Sequence, residues 1–268
     1  MTHQPIRLVA IDLDDTLLTD DLEIAPATRK AIARAMEEGV AVVLATGRMF
    51  PATLPIAREL NITGPLVTYN GALIRTAGGE TWWHRPVPRE LALEVLDYAE
   101  ADGWAVQGYY EDQLYVPRID YGVREYTGIA NVVPQVCEDM RAFFSEREST
   151  KLLGIGEPDD IARRAKELAE KFAGRLTITI SKPQYVEMLH AGVSKATALA
   201  EVARRLGVAR EQVLAIGDSF NDLDMIRWAG IGVAMGNAAP EVQAQADHVV
   251  GTNEEDGVAE AFERFVFV

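Results

Sequence analysis

The sequence has almost no cysteine and no long apolar run. Its 268 residues include one cysteine, Cys137, so a disulfide within the chain is impossible and a zinc site built from several cysteines is excluded. The apolar run 40–45 is among the longest, far short of the roughly 18 residues that cross a bilayer. The first ten residues carry Arg7 inside a short apolar stretch, unlike a signal peptide. We therefore expect a cytoplasmic protein without a membrane span.

Positive charge is also scarce. The chain has 26 Lys and Arg residues against 41 Asp and Glu residues, which gives a net charge of −15. Because nucleic acids and anionic membranes attract basic surfaces, this balance argues against both as partners. It does not exclude a phosphorylated small molecule, since a bound divalent cation can reverse the local field. The chain shows no internal repeat or low-complexity tract, and its composition is typical of a globular protein.

Apolar strands alternate with helices at both ends of the chain. Residues 7–11, 40–45 and 66–69 have the composition of buried strands, and residues 73–83 that of an antiparallel hairpin. The alternation resumes after residue 193. Near-continuous apolar strands separated by helices predict a parallel sheet that is covered on both faces.

The middle of the chain has a different composition. Of the 20 aromatic residues, 13 lie between Trp82 and Tyr185, which indicates a separate domain with its own core. We therefore predict an α/β fold in which a Rossmann-like parallel sheet core is interrupted by an inserted α+β domain. The predicted core comprises residues 1–84 and 188–268, and the predicted insert comprises residues 85–187.

Two acidic clusters follow strands of the predicted core. Asp12, Asp14 and Asp15 come directly after the first strand, and Asp218 and Asp222 follow a later one. In open parallel sheets, ligands bind beyond the carboxyl ends of the strands. Carboxylates gathered there repel one another and favour a cation, and hard oxygen ligands suit Mg²⁺ better than Zn²⁺ or Ca²⁺. The alternative interpretation is a pair of turns or helix caps, in which Asp is common.

Two further positions suit a phosphate group. The segment Thr46-Gly47-Arg48 follows the second strand and offers a hydroxyl and backbone N–H groups at an expected helix start. Lys195 lies in the first turn of a helix that Ser194 can cap. A lysine there opposes the helix dipole, which favours a functional role for the charge. Either position alone also fits an ordinary turn or helix.

Together these segments resemble the haloacid dehalogenase superfamily of aspartyl-phosphate-forming phosphohydrolases. The residues that match its motifs are, in chain order, Asp12, Asp14, Thr16, Thr46, Lys195, Gly217, Asp218 and Asp222. Segments such as Tyr69-Asn70-Gly71-Ala72 and Met235-Gly236-Asn237-Ala238 resemble the Cof-type branch, which carries a cap between its second and third motifs. Ala196 departs from the glycine usual in that branch, and we expect from it only a mild effect on the backbone.

The resemblance implies a Mg²⁺-dependent phosphatase that acts on small phosphorylated metabolites, with the insert as a substrate-selecting cap. The implied catalytic residues are Asp12 as nucleophile, Asp14 as acid and base, and Lys195. The implied phosphate-binding residues are Thr46, Gly47, Lys195 and Asn221. The implied metal ligands are Asp12, Asp14 through its backbone carbonyl, Asp218 and Asp222. The expected assembly is a monomer or a weak homodimer.

Other functions differ in what they require of the same residues. A phosphomutase of this family, which passes the phosphoryl group to a second hydroxyl, stays open. A receiver domain needs an aspartate after the third strand, where this chain has Tyr69-Asn70-Gly71. A dinucleotide-binding domain needs Gly-x-Gly-x-x-Gly after the first strand, which is absent. An inactive binding relative is disfavoured, because no motif position carries an inert residue.

Overall fold

The computed structural model describes residues 4–267. Its contacts divide the chain into two compact units. The first unit comprises Met1–Gly47, Thr53–Trp83 and Ser194–Val268, and the second comprises Arg48–Ala52 and His84–Val193. The expected architecture, an α/β fold with a parallel sheet core and additional helices and sheets, is confirmed.

The secondary structure alternates between strands and helices along most of the chain. The strands are β1 Leu8–Ile11, β2 Ala41–Leu44, β3 Pro65–Thr68, β4 Leu73–Thr76, β5 Thr81–His84, β6 Val106–Tyr110, β7 Gln113–Val116, β8 Gln135–Val136, β9 Leu152–Ile155, β10 Leu176–Lys182, β11 Tyr185–His190, β12 Val213–Gly217, β13 Ile231–Ala234 and β14 His248–Val249. The α-helices are α1 Pro26–Glu37, α2 Phe50–Glu59, α3 Arg89–Ala101, α4 Tyr121–Ala130, α5 Met140–Phe144, α6 Pro158–Lys171, α7 Lys195–Leu206, α8 Leu223–Trp228, α9 Pro240–Gln243 and α10 Gly257–Phe265. Among residues 4–267, none of these helices combines the length and the apolar composition needed to cross a bilayer.

A five-stranded parallel sheet forms the centre of the first unit, in the order β14-β13-β12-β1-β2. Every residue of β1 and of β12 is buried, as apolar strands covered on both faces must be. Ile11 at the end of β1 pairs with Ile216 of β12. The register therefore brings the segments that follow these two strands to the same point of the sheet edge.

The third predicted strand lies in a different sheet. β3 pairs antiparallel with β4 in a three-stranded sheet, and a single parallel bridge joins Ala45 to Val67. β3 ends at Thr68 because the following residues Tyr69, Asn70 and Gly71 all have positive φ angles. A strand cannot continue through such residues.

Of two helix starts expected from the sequence, one is present and the other lies further along the chain. Ser194 caps α7 by accepting a hydrogen bond from the backbone N–H of Thr197, which confirms the expected position of Lys195 in the first turn. The helix expected at Thr46-Gly47-Arg48 begins only at Phe50. Pro51 lies in its first turn, where a missing N–H is tolerated, but Pro55 lies further inside the same helix, so the prolines alone do not explain why the helix begins at Phe50.

The second unit contains a six-stranded sheet in the order β10-β11-β9-β6-β7-β8. Residues of α3, α5 and α6 pack with it in one apolar cluster around Phe144 and Phe172. β11 pairs with both β9 and β10, so this unit continues to Val193, six residues past the predicted boundary at 187. The function of the insert as a cap stays a prediction.

Close packing inside the parallel sheet generates a stability prediction. A Cβ atom on Gly232 of β13 would lie 2.1 Å from the backbone oxygen of Ile226, which cannot move without displacing α8. Gly232→Ala should therefore lower the free energy of unfolding by about 3 kcal/mol, as overpacking of a core does. Gly64→Ala is the matched control, because nothing lies within 4 Å of its added methyl group. Urea unfolding measures both, and equal losses would contradict the packing argument.

Candidate active site

Asp12 is held at the edge of the parallel sheet by its own backbone. Its N–H donates to the carbonyl of Ile216 at 3.0 Å, which extends the β1–β12 ladder by one residue. The chain then forms a kinked turn, Leu13–Leu17, in which Asp14 and Asp15 have non-helical backbone angles and Asp15 has a φ of 59°. The Asp12 side chain is buried, and Asp14 is half-buried.

Lys195 lies between two of the aspartates. Its Nζ donates to Asp12 Oδ1 at 2.5 Å and to Asp222 Oδ1 at 2.6 Å, and its side chain is fully buried. Burial by itself lowers the pKa of Lys195, but the charges of Asp12 and Asp222 overcome that effect and hold its pKa above the ordinary value. The ammonium group is therefore charged and fixed against the carboxylate of Asp12.

Asp218 and Asp222 are ordered by donors from neighbouring segments. Thr16 Oγ1 donates to Asp218 Oδ1 at 2.8 Å, and Ser219 Oγ donates to Asp218 Oδ2 at 2.7 Å. Asp222 Oδ2 accepts the backbone N–H groups of Asp218 and Ser219 at 3.2 and 3.0 Å. The carboxylate of Asp222 thus makes no side-chain cap on α8. A Cβ on Gly217 would lie 2.6 Å from the Asp222 side chain, so glycine is required there.

The buried carboxylates form a group that fits a hard cation. One oxygen from each of Asp12, Asp218 and Asp222 lies within 4.8 Å of the others. Burial, together with the charge of Asp222, raises the pKa of Asp12 well above its usual range and that of Asp218 to about 7. With all three carboxylates ionised against one ammonium, the group would carry excess negative charge, which a divalent cation bound through oxygens would balance. The side chain of Asp14 is not part of this group within residues 4–267.

The proposed phosphate-binding residues lie around the same edge. Thr46 is buried, and its backbone N–H donates to Val67 at 2.9 Å. Gly47 is half-buried and follows it directly. Asn221 Nδ2 donates to Asn70 Oδ1 at 3.0 Å, and the backbone N–H of Asn70 donates to the carbonyl of Thr46 at 3.0 Å.

Three residues of the site received no role from the sequence. Thr16 and Ser219 bind Asp218, and Asn70 connects Thr46 with Asn221. Thr16 and Ser219 lie within or beside the acidic motifs, so the sequence already places two hydroxyl donors close to the carboxylates that they bind. For Asn70 and Gly71 the sequence offers a turn signal and the resemblance to the Cof-type branch, but no contact partner, because nothing local shows which loop a turn faces.

The comparisons with known proteins agree along nearly the whole chain. The model of the haloacid dehalogenase-like hydrolase family matches residues 9–262. The 5-amino-6-(5-phospho-D-ribitylamino)uracil phosphatase YcsE of Bacillus subtilis is 34% identical over 97% of this chain and 96% of its own. A haloacid dehalogenase-like hydrolase structure from Bacteroides thetaiotaomicron is 31% identical, with a TM-score of 0.85, over 97% of this chain and 99% of its own. The subclass IIB sugar phosphatase BT4131 is 25% identical, with a TM-score of 0.87, over 98% and 100%.

A parallel sheet with acidic residues at its edge and a helix-borne lysine between them is the arrangement of a phosphoryl-transfer enzyme. The chain belongs to the haloacid dehalogenase-like hydrolases. The expected family and the expected class of enzyme, a phosphatase of this family, are confirmed.

The raised pKa of Asp218 predicts how stability depends on pH. The folded chain holds this proton up to about pH 7, whereas the unfolded chain loses it near pH 4, so between these values the group makes stability fall as pH rises. Asp218→Asn removes the effect, because an amide does not titrate. In metal-free buffer the variant should therefore gain stability relative to the unsubstituted protein from pH 4 to 7. Chemical unfolding across this range measures the difference, and parallel curves would contradict the prediction.

Proposed function

We propose that this enzyme is a Mg²⁺-dependent phosphatase that hydrolyses small phosphorylated metabolites through an aspartyl-phosphate intermediate. The observation that carries the proposal is the buried carboxylate of Asp12, held by the ammonium of Lys195 beside Asp218. A carboxylate fixed in this way at a sheet edge is a nucleophile with a defined direction, and the ammonium of Lys195 beside it attracts an anionic ester.

In the first step an oxygen of Asp12 bonds to phosphorus while the ester P–O bond breaks. Asp14 gives its proton to the departing alkoxide, because a free alkoxide is a poor leaving group. In the second step water attacks the phosphorus of the aspartyl phosphate, and Asp14 takes its proton. Inorganic phosphate leaves, and the carboxylate of Asp12 is restored.

The other residues hold the transferring group. Lys195 supplies a fixed positive charge, and Thr46, Gly47 and Asn221 supply hydrogen bonds to phosphoryl oxygens. Asp12, Asp218 and the backbone carbonyl of Asp14 would hold Mg²⁺, with Asp222 as a further candidate. When bound, this ion supplies positive charge that screens the repulsion between carboxylate and phosphate ester.

The substrate class follows from the relatives and from the insert. The two named phosphatases act on a phosphoribitylamino compound and on sugar phosphates, according to their names. This supports a small phosphorylated metabolite as the substrate here, selected by residues 85–187 acting as a cap. The cytoplasmic location, the monomer or weak homodimer, and the absence of nucleic-acid and membrane partners stay predictions.

Metal removal tests the cofactor. Exhaustive chelation should abolish phosphate release, and Mg²⁺ should restore it. Ca²⁺ should bind but inhibit, because its looser coordination lets Asp12 engage the ion through both oxygens and blunts its attack. The thermal unfolding midpoint reports whether an ion binds, and phosphate release reports whether it activates the enzyme. Asp218→Asn is the control, because it removes one of the carboxylates that would hold the ion. Full turnover after chelation would disprove the requirement.

Substitution of the two motif aspartates tests the mechanism. Asp12→Asn should abolish hydrolysis, since an amide is a poor nucleophile. Asp14→Asn should lose about 10²–10⁴-fold with a sugar phosphate, but far less with a nitrophenyl ester, whose leaving group needs no proton. With that ester, phosphorylated enzyme should accumulate as a mass increase of about 80 Da, the mass of an added phosphoryl group, because water is no longer deprotonated.

The Asp12→Asn, Asp14→Asn double variant is the control, because it lacks the residue that carries the phosphoryl group. Equal rate losses with both esters and no trapped adduct would show that Asp14 is not the acid and base.

A further inference from the structure

The turn after β3 has an unusual backbone. Tyr69, Asn70 and Gly71 have φ angles of 53°, 54° and 97°, so three consecutive residues are left-handed and two of them are not glycine. All three are buried. Side chains disfavour this conformation, and it persists where surrounding contacts impose it, often at functional sites.

The contacts that impose this turn come from the active-site segments. The backbone N–H of Asn70 donates to the carbonyl of Thr46 at 3.0 Å. A Cβ atom on Gly71 would lie 2.2 Å from the backbone oxygen of Ser194. The turn therefore packs directly against the start of α7, whose first residue is Lys195. The third contact is a hydrogen bond that Asn70 Oδ1 accepts from Asn221 Nδ2 at 3.0 Å. The turn therefore touches three segments of the site.

The two amides are not fully satisfied by the protein. The nitrogen of Asn70 and the oxygen of Asn221 are buried and have no hydrogen-bond partner among the described residues, and Asn70 is only 2% exposed. If both amides were rotated by half a turn, they would still bond to each other and leave one donor and one acceptor. Because unsatisfied buried polar atoms lower stability, this pair is poorly explained as a stabilising contact.

We propose that Asn70 is a positioning residue that orients the amide of Asn221 toward the phosphoryl group. The amide nitrogen of Asn221 carries two N–H groups, and Asn70 Oδ1 accepts a hydrogen bond from one of them. This hydrogen bond fixes the plane of the Asn221 amide and therefore the direction of its second N–H group. The left-handed turn places this acceptor, and Thr46 and Ser194 hold the turn. The inference rests on the proposed function, because it requires a phosphoryl group in this site.

The test separates the Asn70 amide from its backbone. Asn70→Gly removes the amide and keeps the left-handed conformation, which glycine adopts without strain. In the Mg²⁺-loaded enzyme, it should weaken the binding of inorganic phosphate and lower kcat/KM by about tenfold to a hundredfold, the loss of one hydrogen bond to a charged group. Calorimetry with inorganic phosphate and steady-state kinetics measure these two effects, and the affinity for Mg²⁺ should stay unchanged.

A double-mutant cycle shows whether Asn70 acts through Asn221. Asn221→Ala should cause a comparable loss, and adding Asn70→Gly to it should cause no further loss, because the residue to be oriented is already gone. Losses that multiply, or an Asn70→Gly variant with unchanged phosphate affinity, would overturn the proposal.

Two further variants isolate the backbone contribution. Asn61 has a φ of 58° but is exposed and outside the site, so Asn61→Gly is the matched control and should leave phosphate binding unchanged. Asn70→Ala adds backbone strain, so it should unfold more easily than Asn70→Gly yet show the same phosphate affinity. If the unsubstituted enzyme released phosphate from no ester, the proposed function would fail. If it were active and Asn70→Gly matched it, only the role of Asn70 would fail.

Discussion

The ammonium group of Lys195, buried between Asp12 and Asp222, is the interaction on which the rest of the site depends. Taking charged groups out of water costs free energy that their attraction repays only with good geometry. A cluster with more carboxylates than cations is therefore a poor way to gain stability. It persists because the surrounding sheet and helix hold the charges in place, and the resulting strong field suits the binding of an anion and a cation together.

The parallel sheet supplies that rigidity. β1 and β12 are neighbours in register, so Asp12 and Asp218 emerge side by side although they are distant in sequence. Lys195 comes from a third segment, 183 residues after Asp12, and the Ser194 cap fixes the helix turn that presents it. Gly217 then lets the Asp222 side chain approach the backbone closely enough to reach the same lysine. The strand register, the helix cap and the glycine bring these side chains together only in combination.

Prediction from sequence succeeds where the signal is local. Buried strands of the core and the cap at Ser194 follow from composition and from short-range hydrogen bonding, and both are present. The expected start of α2 is too early, and no local signal in Thr46-Gly47-Arg48 shows that the helix begins only at Phe50. The short helices α4 and α5 are not predicted, since each depends on one aspartate cap and on packing inside the second unit.

The sequence by itself determined the chemistry available: which residues can act as nucleophile, acid, cation and metal ligand, and which strands carry them to a sheet edge. The tertiary structure decided how those groups are paired. Asp222 faces Lys195 and two backbone N–H groups, and Asn70 faces Asn221 across 151 residues of chain. Such pairings depend on strand order, register and the close approach of separate loops, and a linear pattern of residue types contains none of these distances.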